Sequence, residues 1–180
     1  MNCLALLGSP RKDGNTASLL DSFIEGAESK GLSTKKVWLH EKNITWCNAC
    51  GYCKKDGIGT GKCVHDDDMT ELYRDILAAD AIVQAFPVYW WTMPAQTKVF
   101  QDRIYALDYR MLNGKKFYLL STYMDEDPNS GFAIAESSFR EICSYLRLDF
   151  AGSLGVCSGS GPVRENREAL DRAFRMGAGV

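Results

Sequence analysis

Short apolar runs alternate with longer amphipathic stretches along this chain. Asn2 to Leu7 is a compact apolar run halted by Gly8-Ser9-Pro10. Asn15 to Ser29 then places Leu19, Leu20, Phe23, Ile24 and Ala27 on one helical stripe, and Gly31 closes it where positive φ is needed. Thr34 to Leu39 reads as a second strand. Asp66 to Leu77 reads as a helix whose acidic start suits the positive end of the helix dipole, with Asp68 and Glu71 spaced as a capping box. Ala81 to Phe86 is a third strand ending at Pro87. Pro94 opens a helix to about Leu107, and Phe117 to Ser121 is a fourth strand. Phe132, Ala135, Phe139, Ile142, Cys143 and Leu146 mark a helical face. Leu148 to Val156 holds a last strand, and a final helix runs from about Glu165 to Met176. Strands alternating with helices predict a three-layer α/β fold with a mostly parallel sheet, its strands apolar on both faces. No repeat or linker divides residues 1–180, so one domain is expected, with an irregular excursion at about 41–65.

In such sheets ligands bind beyond the carboxyl ends of the strands, so chemistry is sought there. The segment Gly8-Ser9-Pro10-Arg11-Lys12-Asp13-Gly14-Asn15-Thr16 joins the first strand to the first helix. Backbone N–H groups at a helix start, with Ser9, Asn15 and Thr16, suit a phosphate, and Arg11 adds a charged donor. It is not a Walker A loop, because Gly14 is followed by Asn15-Thr16, and it lacks the dinucleotide Gly-x-Gly-x-x-Gly pattern. A monophosphate fits best. After the third strand, Phe86-Pro87-Val88-Tyr89-Trp90-Trp91-Thr92-Met93-Pro94 sets three adjacent aromatics between prolines, and some of them must face a cavity, a flat ligand or another subunit. The fourth strand end, Ser121-Thr122-Tyr123-Met124, is a weaker candidate, since its hydroxyls equally suit the edge of a sheet.

Charge and cysteine content narrow the partners. The net charge is −2, with 46% hydrophobic and 24% charged residues, which argues against a nucleic-acid partner. No apolar run is long enough for a membrane span, and no basic region precedes the opening apolar run, so a cytoplasmic protein is expected. Four of the seven cysteines crowd together as Cys47, Cys50, Cys53 and Cys63. This spacing is compatible with ligands for a [4Fe–4S] cluster, with a thiol loop that holds nothing, and with a zinc site that includes His65. The acidic run Asp66-Asp67-Asp68 is explained by a helix start, and His40 is assigned no role.

These motifs, in this order, resemble the NAD(P)H-dependent FMN reductase and iron–sulfur flavoprotein family. The resemblance rests on Gly-Ser-Pro-Arg-x-x-Gly-Asn-Thr at 8–16, Cys47-x-x-Cys50-x-x-Cys53, Asp67-Asp68-Met69, Ala79 to Val83, Pro87-Val88-Tyr89-Trp90 and Lys98 to Arg103, and extends into the region from Gly152 to Gly177. It implies a flavodoxin-like sheet of order 2-1-3-4-5, bound FMN, and two-electron reduction of an acceptor at the expense of NAD(P)H. The implied cofactor site comprises Ser9, Arg11, Lys12, Gly14, Asn15 and Thr16 around the phosphate, and Pro87, Val88, Tyr89, Trp90, Ser121 and Thr122 around the ring. Trp91 is assigned to a subunit interface and a homodimer or dimer of dimers is expected. The last cysteine gap here is longer than is usual in iron–sulfur flavoproteins, and Met124 to Asp127 replaces a glycine-containing turn. The acceptor is a quinone, an azo or nitro compound, free flavin or a redox protein. Rival readings are a one-electron carrier without nicotinamide activity and a zinc-bearing interaction module. No catalytic acid or base is required, and none is assigned.

Overall fold

The computed structural model describes residues 1–180. Five parallel strands, β1 (Asn2–Leu7), β2 (Ser33–Trp38), β3 (Ala81–Pro87), β4 (Lys116–Tyr123) and β5 (Asp149–Cys157), form one sheet of order β2-β1-β3-β4-β5. The flavodoxin-like order expected from the resemblance is the order found. Helices α1 (Asn15–Glu28) and α5 (Arg167–Ala178) cover one face. The other face is covered by α2 (Met69–Ala78), α3 (Ala95–Arg103) and α4 (Ser130–Leu146).

The central strands are apolar on both sides because each side is roofed. Leu4, Leu6, Ile82, Phe86, Phe117 and Leu119 face the α2–α4 layer, and Cys3, Ala5, Leu7, Val83, Ala85 and Leu120 face α1 and α5. Edge strand β2 has exposed Lys35 and Lys36, a charged edge that discourages pairing with another sheet. Helices α1 and α5 pack backbone against backbone. A Cβ on Gly26 would lie 2.0 Å from Phe174 O, and one on Gly177 would lie 1.9 Å from Phe23 O. Glycine is required at both positions by this approach.

Two helix boundaries depart from the expected ones for identifiable reasons. Helix α2 begins at Met69 rather than Asp66, and no capping box forms. Asp68 instead accepts a hydrogen bond from Asn43 N at 2.8 Å. Asp67 accepts from Thr45 N and forms a two-pronged ion pair with Arg103 (Nη1–Oδ2 2.7 Å, Nη2–Oδ1 3.1 Å). Helix α3 ends at Arg103, followed by a 3-10 turn over Ile104–Ala106, instead of running on to Leu107. There Arg103 O accepts from Tyr73 Oη and its guanidinium also donates to Thr45 O. Arg103 and Asp67 are both almost wholly buried. The pair fastens the start and end of the excursion to the end of α3. Burial alone would raise the Asp67 carboxyl, but Arg103 and the N–H groups of Thr45 and Met69 outweigh it and hold it below the ordinary range.

Candidate functional site

The loop after β1 is anchored at its base and leaves its hydrogen-bond donors unused at its tip. Gly8 N donates to Ala85 O at 2.7 Å, and the hydroxyl of Thr97 donates to Gly8 O. A Cβ on Gly8 would sit 2.1 Å from Thr97 Oγ1, so the chain crosses α3 here only as glycine. Trp38 Nε1 donates to Ser9 O, and Arg11 N donates to Ser9 Oγ at 3.1 Å. Gly14 then caps α1 in extended backbone, with no side-chain cap and no acid in the first turn.

The N–H groups of Asn15, Thr16 and Ala17 consequently donate to no acceptor in the chain, although Thr16 and Ala17 are buried. Helix starts leave such donors orphaned, and burying them without a partner is costly. An anion seated on the loop satisfies them and meets the positive end of the α1 dipole. Arg11 and Lys12 flank this cradle, are exposed and form no ion pair. Lys12 lies over the Trp38 ring at 5.4 Å.

The side chains around the cradle are partly engaged. Asn15 Oδ1 accepts from Val163 N at 3.0 Å, which leaves its amide N–H groups free. The Thr16 and Thr122 hydroxyls share one hydrogen bond of 2.6 Å, which leaves one of the two O–H groups to donate elsewhere. This contact ties the start of α1 to the end of β4. Ser121, by contrast, is wholly buried and donates to Phe86 O at 2.7 Å, so its hydroxyl serves the sheet.

Beyond β3 the chain stays on the same rim. Pro87 pairs in register with Thr122, and Val88 N donates to Thr122 O at 2.8 Å. Tyr89 and Thr92 then exchange two backbone hydrogen bonds (2.8 and 3.1 Å) around a two-residue turn. Both turn residues, Trp90 (φ 47°) and Trp91 (φ 64°), lie in the left-handed region. Bulky side chains are disfavoured there by about 1–2 kcal/mol each, and asparagine and glycine are the usual occupants. Trp91, expected at a subunit interface, is half exposed, and its indole N–H donates to Ser130 Oγ at 3.0 Å. Gly131 lets the turn approach α4, since a Cβ there would be 2.6 Å from Val88 Cγ1 and 3.2 Å from Trp91 Cα.

The cysteine excursion lies elsewhere. Cys47 and Cys50 are exposed, and Cys53 and Cys63 are half-buried. All four border a cavity of about 910 Å³ that is also walled by Tyr105, Tyr109 and Tyr145. Neither the cradle nor the Trp turn contributes to this cavity. The spacing leaves a cluster, a thiol loop that holds nothing and zinc open; as arranged here, no three His, Cys, Asp or Glu side chains are gathered to hold a metal ion.

The physical reason lies in how the loop is tethered. Lys54 Nζ donates to Leu107 O at 3.1 Å and sits 4.8 Å from the Tyr105 ring and 4.1 Å from that of Tyr109. The added residues 58–61 dock on the same turn. Gly59 presses on Leu107 O, where a Cβ would come within 1.8 Å, and Gly61 N donates to Ala106 O at 2.9 Å. The loop is shaped by protein contacts. Burial, then the neighbouring Cys63, pushes the Cys53 thiol above its ordinary value.

Sequence reasoning left three parts of this arrangement unseen: the Asp67–Arg103 clamp, the Lys54 cage and the Asn15–Val163 contact. Each joins residues 36 or more positions apart. The only trace in the sequence is that Asp67-Asp68-Met69 and Lys98 to Arg103 resemble the family while having no cofactor role.

Comparison with known proteins agrees with the fold. Residues 1–158 match the family described as NADPH-dependent FMN reductase. The chain is 40% identical to an iron–sulfur flavoprotein of Archaeoglobus fulgidus, over 100% of this chain and 79% of the relative. It is 38% identical to one from Methanosarcina thermophila over 57% of this chain and 52% of the relative, so that match spans only about half of each. Among solved structures, the NAD(P)H:quinone oxidoreductase of Methanothermobacter marburgensis superposes with a TM-score of 0.74 at 20% identity, over 99% of this chain and 96% of that one. The azoreductase AzrA superposes with a TM-score of 0.71 at 12% identity, over the whole of both chains. These two share the fold. No helix is long and apolar enough to cross a membrane. With the flavodoxin-like strand order, the match over residues 1–158 places the chain in the NADPH-dependent FMN reductase family, as an FMN-dependent oxidoreductase.

Proposed function

We propose that this protein binds FMN with the phosphate on residues 9–16 and the ring on the rim formed by Pro87, Val88, Tyr89 and Thr122. In this reading, electrons from a reduced nicotinamide pass to a small acceptor such as a quinone or an azo or nitro compound. The observation that carries it is the set of unpartnered N–H groups of Asn15, Thr16 and Ala17 beside the free cations Arg11 and Lys12. A phosphate monoester presents enough acceptor oxygens to meet all of them. Arg11 supplies charge-assisted hydrogen bonds, and Asn15 and the Thr16–Thr122 pair supply neutral donors. The β3 and β4 ends supply backbone and apolar surface, held in place by the Val88–Thr122 bond.

When bound, FMN supplies the capacity to accept hydride and return electrons. The protein's part is to seat the phosphate, orient the ring and keep one face open. No titratable side chain is needed in the cradle, and no His–carboxylate pair stands there. The relatives named iron–sulfur flavoprotein favour a second reading, electron carriage to a redox protein. Purified protein titrated with FMN should acquire the spectrum of a bound flavin, and anaerobic NADPH should bleach it within the mixing time. Bound flavin that NADPH leaves oxidised would favour the carrier. Failure to bind FMN would remove both readings.

A further inference from the structure

The Trp90–Trp91 turn divides two roles between adjacent indoles. Trp91 is the brace: its N–H is bonded to Ser130, and its backbone packs on Gly131 at the start of α4. Trp90 has no such tie. It is 89% exposed, the most exposed large apolar side chain of the molecule, and its indole N–H has no acceptor in the chain. The Trp90 ring leans only on Trp91, with centroids 6.0 Å apart and planes tilted by 40°. A left-handed pair of tryptophans is an unfavourable way to make a turn, and strain of this kind persists where the surroundings enforce it. Here the Tyr89–Thr92 bonds, Ser130 and Gly131 enforce it. The effect is to hold one flat indole face outward, two residues beyond the Val88–Thr122 bond that links the turn to the FMN rim.

We infer that Trp90 is a specificity-determining residue that stacks on the planar, electron-poor aromatic acceptor as it approaches the flavin. The inference rests on the function proposed above. Aromatic pairs in offset or edge contact gain beyond the area they bury, and an indole is an electron-rich partner for a quinone or nitroaromatic ring. The loop entering Ser130 carries exposed Asp125, Glu126 and Asp127, with no lysine or arginine between Met124 and Ser130, an acidic surface that tolerates a neutral ring better than an anionic acceptor. The balanced reaction is NAD(P)H plus H⁺ plus quinone giving NAD(P)⁺ plus hydroquinone. The nicotinamide is oxidised by two electrons and the quinone is reduced by two, with both quinone oxygens protonated.

The test uses FMN-loaded wild type, Trp90→Ala and Trp90→Phe, with 1,4-naphthoquinone as the planar acceptor and ferricyanide as the non-planar one. In Trp90→Ala, KM for naphthoquinone should rise roughly three- to tenfold relative to that for ferricyanide, with little change in kcat. Trp90→Phe should recover part of the loss. Without reductant, naphthoquinone should quench tryptophan fluorescence in wild type, and this quenching should weaken in both variants. An equal change for both acceptors, or unaltered quenching, would overturn the inference. So would a change of sedimentation coefficient in Trp90→Ala, which would assign the exposed indole to contact between copies. Absence of bound flavin in wild type would instead defeat the underlying reading, so the two failures are separable.

Discussion

The loops that follow β1 and β2 differ in how they use their polar groups. The first, residues 8–16, is tied down at its base and through the side chains of Asn15 and Thr16, and leaves three backbone donors at the start of α1 without acceptors. The second, residues 41–65, carries the more conspicuous side chains, yet much of it is docked on the protein around it, and the one buried polar side-chain atom it leaves without a partner is His65 Nε2. Lys54 is caged by Tyr105 and Tyr109, Gly59 and Gly61 dock on residues 106–107, and Asp67 and Arg103 clamp its ends. Unsatisfied donors mark a site that needs a ligand. A dense set of reactive side chains, by itself, does not.

The largest expected effect lies in the clamp. Replacing Arg103 with leucine strands a buried carboxylate and should lower stability by about 3–5 kcal/mol, read from urea unfolding. The excursion should become the preferred site of limited proteolysis. The same pair sets an acid limit. Because the folded Asp67 carboxyl is held below its unfolded value, its contribution is complete above the ordinary aspartate range and is lost as pH falls through the depressed value. Urea midpoints should therefore drop below about pH 4, and Asp67→Asn should flatten that drop. A midpoint that is independent of pH there would break the comparison at its second loop.

At the first loop, Arg11→Ala should weaken FMN by about 1.5–3 kcal/mol, the range for a hydrogen bond to a charged group. Equilibrium fluorescence titration checks this, and thermal stability without FMN should not change. Unaltered FMN affinity would remove Arg11 from the cradle.

The smallest effect concerns the cage. Lys54→Met should loosen the excursion by about 0.5–2 kcal/mol. The reading is faster labelling of Cys53 by a thiol reagent, with Cys47 and Cys50 fast in both forms. Cys3 and Cys143, whose thiols burial pushes up to about 12, should stay silent in the native protein. Equal Cys53 rates in wild type and variant would show that the cage does not hold the loop.

Most of the sheet was legible because its signals are local. Runs such as Ala81 to Phe86 are short, apolar on both faces and bounded by breakers, and α1 and α4 carry clear stripes. The cradle was legible for the same reason, being nine consecutive residues between a strand and a helix. What escaped was non-local. Nothing near Asp68 announces that its carboxylate turns to Asn43 N rather than forming a capping box, and nothing near Asp67 or Arg103 announces their pairing or explains why α3 stops there. The four extra residues before Cys63 read as mere added length, while in the fold Gly59 and Gly61 are docking points. The left-handed turn at Trp90 and Trp91 runs against local preference and is enforced by Ser130 and Gly131, about 40 positions away.

The central claim is that the start of α1 seats a flavin's phosphate. Comparing the affinity of the flavin-free protein for FMN with that for riboflavin, the same ring system without the phosphate, tests it most directly. Two charge-assisted hydrogen bonds predict that FMN binds about a hundredfold or more tightly. Equal affinities would contradict the account.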